Sequence, residues 1–246
     1  MDRDRFKDIC ALCSEEWKDG GAIGTYNEKR LHMILKRFFC SDTDCYEVKV
    51  GNYVADIVRG GRIIEIQTGH LYPLKDKLRY YLEETEYQVK VVYPVMASKR
   101  ILRVERDTGE VIRVRRSPKH VGYGEIMREM YSIADYLKNE RLEIEVLYIS
   151  ADEHRYSDER YRYRKSGKFD CELFPQELIK TESFCGAADF KFLLEGMPDS
   201  FSAKEYASTS GLRGRQLYSV LNLLCSLDLL VRRKGEARAY EYSKIN

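Results

Sequence analysis

The stretch at positions 54–68, VADIVRGGRIIEIQT, constrains the fold of this chain more than any other. Two runs rich in Val and Ile flank Gly60-Gly61, which is the pattern of a β-hairpin closed by a tight turn. Strand side chains alternate between faces, so such a turn sets register as well as direction. A turn centred on the two glycines places Asp56 opposite Glu65, with Cβ atoms about 5 Å apart. Two carboxylates that close repel unless one is protonated or a cation bridges them. With apolar neighbours on both strands, a divalent ion is an economical bridge. An all-oxygen donor set favours Mg²⁺ or Mn²⁺ over zinc. Gln67, two residues past Glu65, shares its face. The ordinary alternative is an acid pair on the solvent side of an edge hairpin.

The flanking sequence predicts a mixed α/β layer fold. Residues 5–18 place Phe6, Ile9, Cys10, Cys13 and Trp17 at helical spacing, and Gly20-Gly21 then breaks the pattern. A second helix begins near Thr25, with Glu28 at the capping-box distance and Leu31, Ile34, Leu35 and Phe38 as its apolar stripe. Strands are expected at 46–51, 53–58 and 62–68, a helix from Pro73, and a strand at 87–95 whose Val and Tyr run suits burial on both faces. A hairpin at 101–116, a helix at 124–138 and a strand at 141–150 complete the first part. Residues 152–172 lack periodicity and read as a connector.

The last sixty residues change character. Helical patterns at 187–194, from Ser202 and over 213–227 precede LLVRRKGEARAYEYS, which reads as strand, turn, strand. Ser202 and Glu205 have capping-box spacing. Helix, short turn, helix and a two-stranded wing resemble a winged helix-turn-helix domain over about 184–246. That resemblance implies nucleic-acid contacts from Arg213, Arg215, Arg232, Arg233 and Lys234, or a role in protein–protein contact.

The first part, with Glu28 on a helix, Asp56 on a hairpin strand and Glu65-Ile66-Gln67 on the next, resembles the PD-(D/E)XK nuclease superfamily over about residues 22–95. The resemblance implies a restriction-endonuclease-like mixed sheet flanked by helices (1–175), followed by the small winged helix domain (184–246). It also implies a Mg²⁺- or Mn²⁺-dependent nuclease, a hydrolase acting on nucleic acid and above all DNA. Asp56 and Glu65 would then be metal ligands, with Glu28 and Gln67 completing the catalytic set. Two positions depart from the family pattern. Ala55 stands where a proline often precedes the acid, and Gln67 stands in place of the motif lysine. Gln orients water but carries no charge, so either a lysine from elsewhere compensates, with Lys29, Lys49 and Lys75 as candidates, or the site is inert. The other function classes in play are a non-catalytic DNA-binding regulator and a protein-interaction module built on a nuclease-like scaffold.

Composition narrows the setting. With 43% hydrophobic and 33% charged residues in 246, the chain can bury a sizeable core, and no apolar run approaches the roughly 20 residues that span a bilayer. The expectation is a cytoplasmic protein with reduced cysteines, no membrane partner, and a homodimer as one assembly to test. The net charge of +2 does not imply a wholesale polyanion-binding surface, but local basic clusters stand at 113–120, 160–165 and 232–234. Cys10-x-x-Cys13 has zinc-like spacing but lies on a helical stripe, where cysteine acts as a small core hydrophobe. His70 follows the E-x-Q strand at the sheet's end, within reach of a phosphate or water. Gly122-Tyr123-Gly124 has no phosphate-loop context.

Overall fold

The computed structural model describes residues 3–18, 27–105, 108–118, 121–157, 171–234 and 240–245. Outside these lie Gly20-Gly21, Thr25, the basic run 160–165, and Lys119-His120 from the end of the first cluster. The side chains of Trp17 and Glu28 are likewise outside the described set.

Two helices open the chain, α1 (Arg3–Lys18) and α2 (Asn27–Phe39). Their apolar stripes are buried as the spacing predicts, with Phe6, Cys10 and Cys13 from α1 against Leu31, Ile34, Leu35 and Phe38 from α2. Phe6 and Phe38 meet edge to face at 5.3 Å. Each of the larger side chains contributes roughly 1.5–3 kcal/mol on burial. That total helps offset the cost of sinking Lys36, on the same helix, to 5% exposure.

The meander β1 (Tyr46–Val50), β2 (Tyr53–Arg59) and β3 (Arg62–Ile66) follows, then α3 (Lys75–Glu84) and β4 (Gln88–Glu105). Gly60 and Gly61 both have positive φ, so the β2–β3 turn is of the kind only glycine enters cheaply. Its register pairs Ile57 with Ile64 and Val58 with Ile63, as the turn predicts. β3 and β4 run parallel, with α3 as the crossover between them. β5 (Val111–Arg116) folds back on the far half of β4. Next come α4 (Tyr123–Tyr131), β6 (Leu142–Ser157) and β7 (Cys171–Phe184). The sheet order is β1-β2-β3-β4-β6-β7, with β5 on β4.

Several boundaries differ from the sequence reading. β3 stops at Ile66, so Gln67 and Thr68 belong to a loop. β4 runs unbroken from the expected 87–95 strand into the expected hairpin, because β6 pairs with it in parallel along its whole length. The expected connector at 152–172 begins as six more residues of β6 and ends in β7. β7 itself was not visible in sequence. Its charged residues, Pro175 and irregular burial belong to an edge strand, where period-two alternation is weak. It carries the large sheet to Phe184, past residue 175.

The C-terminal segment adds β8 (Ser200–Ser202), α5 (Ala203–Ser210), α6 (Gly214–Ser226), β9 (Leu230–Lys234) and β10 (Tyr240–Lys244), with a three-stranded sheet in the order β8-β10-β9. Ser202 and Glu205 form the complete capping box. Residues 187–194 form 3₁₀ turns rather than an α-helix. Leu217, Val220, Leu221 and Leu224 of α6 join one core cluster with Leu78, Val91, Ile126 and Met130 of the large sheet and its helices. Gly124 lets α4 approach this segment. A Cβ there would come within 2.7 Å of Leu212 Cδ2 and 2.8 Å of Gln216 Oε1. Among the described residues, no helix is long and apolar enough to cross a membrane.

Candidate functional site

The β2–β3 ladder ends at Ile57–Ile64, so the hairpin opens at the pair Asp56 and Glu65. Beyond that point Asp56 Oδ2 accepts the amide of Ile66 at 2.8 Å. Each acid then turns to a different helix. Asp56 Oδ2 lies 3.1 Å from His32 Nε2 and Oδ1 lies 3.6 Å from Lys36 Nζ, both on α2. Glu65 receives Lys77 Nζ at 3.0 and 3.2 Å and Tyr81 Oη at 3.0 Å, both on α3. Lys77 also donates to the carbonyl of Val54 at 2.8 Å, which ties α3 to β2.

Electrostatics separate the two acids. Burial pushes Asp56 up, but His32, the Ile66 amide and Lys36 outweigh it and hold its pKa below the ordinary value. Glu65 is more deeply buried, with 3% of its side chain exposed. Burial raises its pKa, the charge of Asp56 adds to that, and Lys77 and Tyr81 oppose it only in part. Paired carboxylates with divergent affinities for a proton are a common feature of functional sites. Lys36 also binds Glu47 at 2.7 Å. Glu47 has φ 53, a left-handed conformation that is costly for a non-glycine residue and clusters near functional sites.

Gln67 does not point into this pair. Its Nε2 donates to the carbonyl of His70 at 2.7 Å, and its backbone amide donates to Val92. His70 Nδ1 lies 3.1 Å from Glu129 Oε1, and Glu129 also accepts Leu71 N at 3.2 Å and Arg128 at 3.3 Å. The loop after β3 therefore carries an imidazole oriented by a carboxylate. His70 borders a cavity of about 490 Å³ lined also by Tyr93, Pro94, Lys99, Ser117 and Arg128. It opens where the edge of β4 lies between its partners. β3 covers residues 88–92 and β5 covers 100–104. Pro94, with no N–H to donate, sits in this gap. Thr68 lines both this cavity and a 630 Å³ cleft bordered by His32, Lys36 and Glu47.

Of the three candidate lysines named from sequence, Lys49 and Lys75 do not pair with either acid. Lys75 pairs with Asp135 at 3.0 Å, Lys49 is exposed, and the side chain of Lys29 is outside the described set. Lys77 and Lys36 are the cations at the acids. His32/Lys36 and Lys77/Tyr81 are both i,i+4 pairs, so each helix presents two polar groups on one face. That spacing was the available signal. Glu28 lies in the first turn of α2. Among the described residues no cluster of three or more His, Cys, Asp or Glu suits a metal. Cys10 and Cys13 are buried in the core, where burial pushes the Cys10 thiol up to about 12, as befits a structural cysteine.

In the C-terminal segment Arg213, Arg215, Arg232, Arg233 and Lys234 are all exposed. Arg232 donates to Asn222 at 3.4 Å and its guanidinium lies 4.7 Å from the centre of the Tyr240 ring.

A family model described as a domain of unknown function, DUF8091, matches residues 29–185. The chain belongs to this family. The matched span contains α2 from residue 29 onward, α3, the hairpin and the residues lining the cavity, and stops one residue past β7. An uncharacterized protein of Treponema pallidum (strain Nichols) is 32% identical over 192 residues, covering 76% of this chain and 74% of that one. No solved structure matches the chain.

Proposed function

We propose that this protein is a metal-dependent phosphodiesterase acting on nucleic acid, with its reaction centre at the open end of the β2–β3 hairpin. The observation that carries the reading is the two acids Asp56 and Glu65 just beyond the last ladder pair, Ile57–Ile64, held by His32, Lys36, Lys77 and Tyr81. The order helix, three-stranded meander, crossover helix and parallel strand supports it, since it places both acids at the carboxyl end of β3 beside a crevice.

The donor chemistry fits Mg²⁺ or Mn²⁺ in kind. Mg²⁺ is commonly held by one or two carboxylates and keeps several waters, so Asp56 and Glu65 suffice without a third side chain. When bound, the metal would lower the pKa of a water and neutralise charge on the phosphate. The chain supplies the rest. Lys77 and Lys36 place positive charge where a phosphate gains negative charge. His70, whose ring meets Glu129 and whose carbonyl accepts Gln67, is the candidate to exchange a proton with the leaving oxygen.

The test is purified protein with Mg²⁺, Mn²⁺ or EDTA on single- and double-stranded DNA and RNA. Metal-dependent cleavage lost in both Asp56→Asn and Glu65→Gln supports the reading; cleavage that survives either change sinks it. A second reading, a nucleic-acid-binding scaffold without catalysis, is favoured by one observation. Lys77 and Lys36 already balance the two acids, so the charges close without a metal. The exposed arginines of α6 and the β9–β10 wing would then carry binding.

A further inference from the structure

A second charged surface lies on the far half of β4. In this stretch Arg103 pairs in register with Arg113 on β5 and with Arg155 on β6. Three arginines therefore stand side by side on adjacent strands and one face. Arg115, two residues along β5, extends the row, and Lys99, four residues back on β4, shares the face and lines the 490 Å³ cavity. Like charges directly opposite across strands are destabilising. The acids on this face are few. Glu153 takes Lys99 and, at 2.5 Å, Arg155; Glu105 accepts Thr108 at 3.0 Å. Arg103, Arg113 and Arg115 are exposed and form no ion pair among the described residues.

The ribbon is two-sided. The opposite face of β5 carries Ile112 and Val114, 56% and 54% exposed, with Leu102 beside Val114. At the paired positions Leu102–Val114 and Arg103–Arg113 aliphatic and cationic side chains thus lie on opposite faces, and Ile101, in register with Arg115 on the charged face, is buried. A membrane-binding surface would need its apolar anchors on the charged side, and these point away. A flat acidic protein would not follow a narrow ribbon into a cavity. A phosphodiester chain would, because its charges repeat along a line, and same-face residues on a strand repeat every ~6.8 Å.

We propose that the face formed by Arg103, Arg113, Arg115 and Arg155 binds the sugar–phosphate backbone of nucleic acid and directs it past Lys99 into the cavity bordered by His70. This deepens the phosphodiesterase reading and rests on it for the direction of the track. Binding itself does not require cleavage.

The experiment measures binding of a labelled 30-nucleotide single strand and the matching duplex in EDTA, across a salt series. Wild type, Arg103→Gln/Arg113→Gln/Arg115→Gln, the corresponding triple lysine variant, and Arg213→Gln/Arg215→Gln/Arg232→Gln are compared. Each backbone contact contributes about 0.7 (single strand) to 0.9 (duplex) to the log–log salt slope. The ribbon glutamine variant should lose about two units of slope and at least tenfold in affinity, and the lysine variant should keep most of both. Unchanged slope in the glutamine variant overturns the proposal, as does slope lost only from the α6–wing variant. So does binding to anionic vesicles with no binding to either nucleic acid. If binding follows the ribbon but no metal yields cleavage, the track stands and the phosphodiesterase reading falls. Circular dichroism checks each fold, and the lysine variant keeps the test valid if the glutamine variant unfolds.

Discussion

The side-chain amide of Gln67 donates to the backbone carbonyl of His70 at 2.7 Å. The glutamine two residues past Glu65 thus shapes a loop rather than meeting the acids. Gln67→Ala should remove one partly exposed hydrogen bond, costing about 1 kcal/mol. Hydrogen exchange at Leu71, whose amide reaches Glu129 across this loop, should accelerate. An unchanged exchange rate would mean that Glu129 alone holds the loop.

Asp56 titrates below its ordinary value, so its contribution is present above the unfolded pKa near 4 and lost as pH falls through the folded pKa. Asp56→Asn should therefore destabilise by about 2 kcal/mol at pH 7, the range of a hydrogen bond to a charged group. In urea titrations the gap to wild type should narrow as pH falls below the ordinary carboxylate range.

Glu65 behaves in the opposite sense. Its pKa is raised in the fold, so its contribution is greatest below the ordinary carboxylate range and declines as pH rises through the raised value. Lys77→Met leaves that carboxylate buried without its cation and should cost about 3 kcal/mol at pH 7. Adding Glu65→Gln should recover most of the loss, because the uncompensated charge is gone. A double-mutant cycle with no coupling would contradict the contact.

Metal binding has a readout apart from cleavage. If Asp56 and Glu65 hold Mg²⁺ or Mn²⁺, an ion at 100 times its Kd should stabilise the fold by about 2.7 kcal/mol. Denaturation with and without metal should show this in wild type and not in Asp56→Asn. Equal stabilisation of both would place the ion elsewhere.

The junction of α4 with the C-terminal segment is tight at Gly124. Gly124→Leu should force Leu212 and Gln216 aside at about 1–3 kcal/mol. Because one core cluster spans both segments, unfolding should remain a single transition. Two separated transitions in the wild type would show that the segments unfold independently.

Much of the local structure was legible in the residues. The α2 stripe, the Gly60-Gly61 turn, the Ser202–Glu205 box and the α6 stripe each depend on contacts a few residues apart. The 101–116 hairpin was legible too, as the far half of β4 with β5; β7 and the far half of β6 were not, because their pairing partners are distant and β7, at the sheet's edge, has weak alternation. The capping site at Thr25 and the side chain of Glu28 lie outside the described residues.

The sequence by itself determined the register of the β2–β3 hairpin as far as Ile57 and Ile64, because a two-glycine turn leaves a hairpin little freedom of register. Tertiary structure alone decided what each acid meets. Only the packing of α2 and α3 brings His32 and Lys36 to one carboxylate and Lys77 and Tyr81 to the other. Only the gap between β3 and β5 on the edge of β4 opens a cavity beside His70. Register is set by local backbone geometry, whereas the partners of a buried charge are set by whichever distant elements fill the space around it.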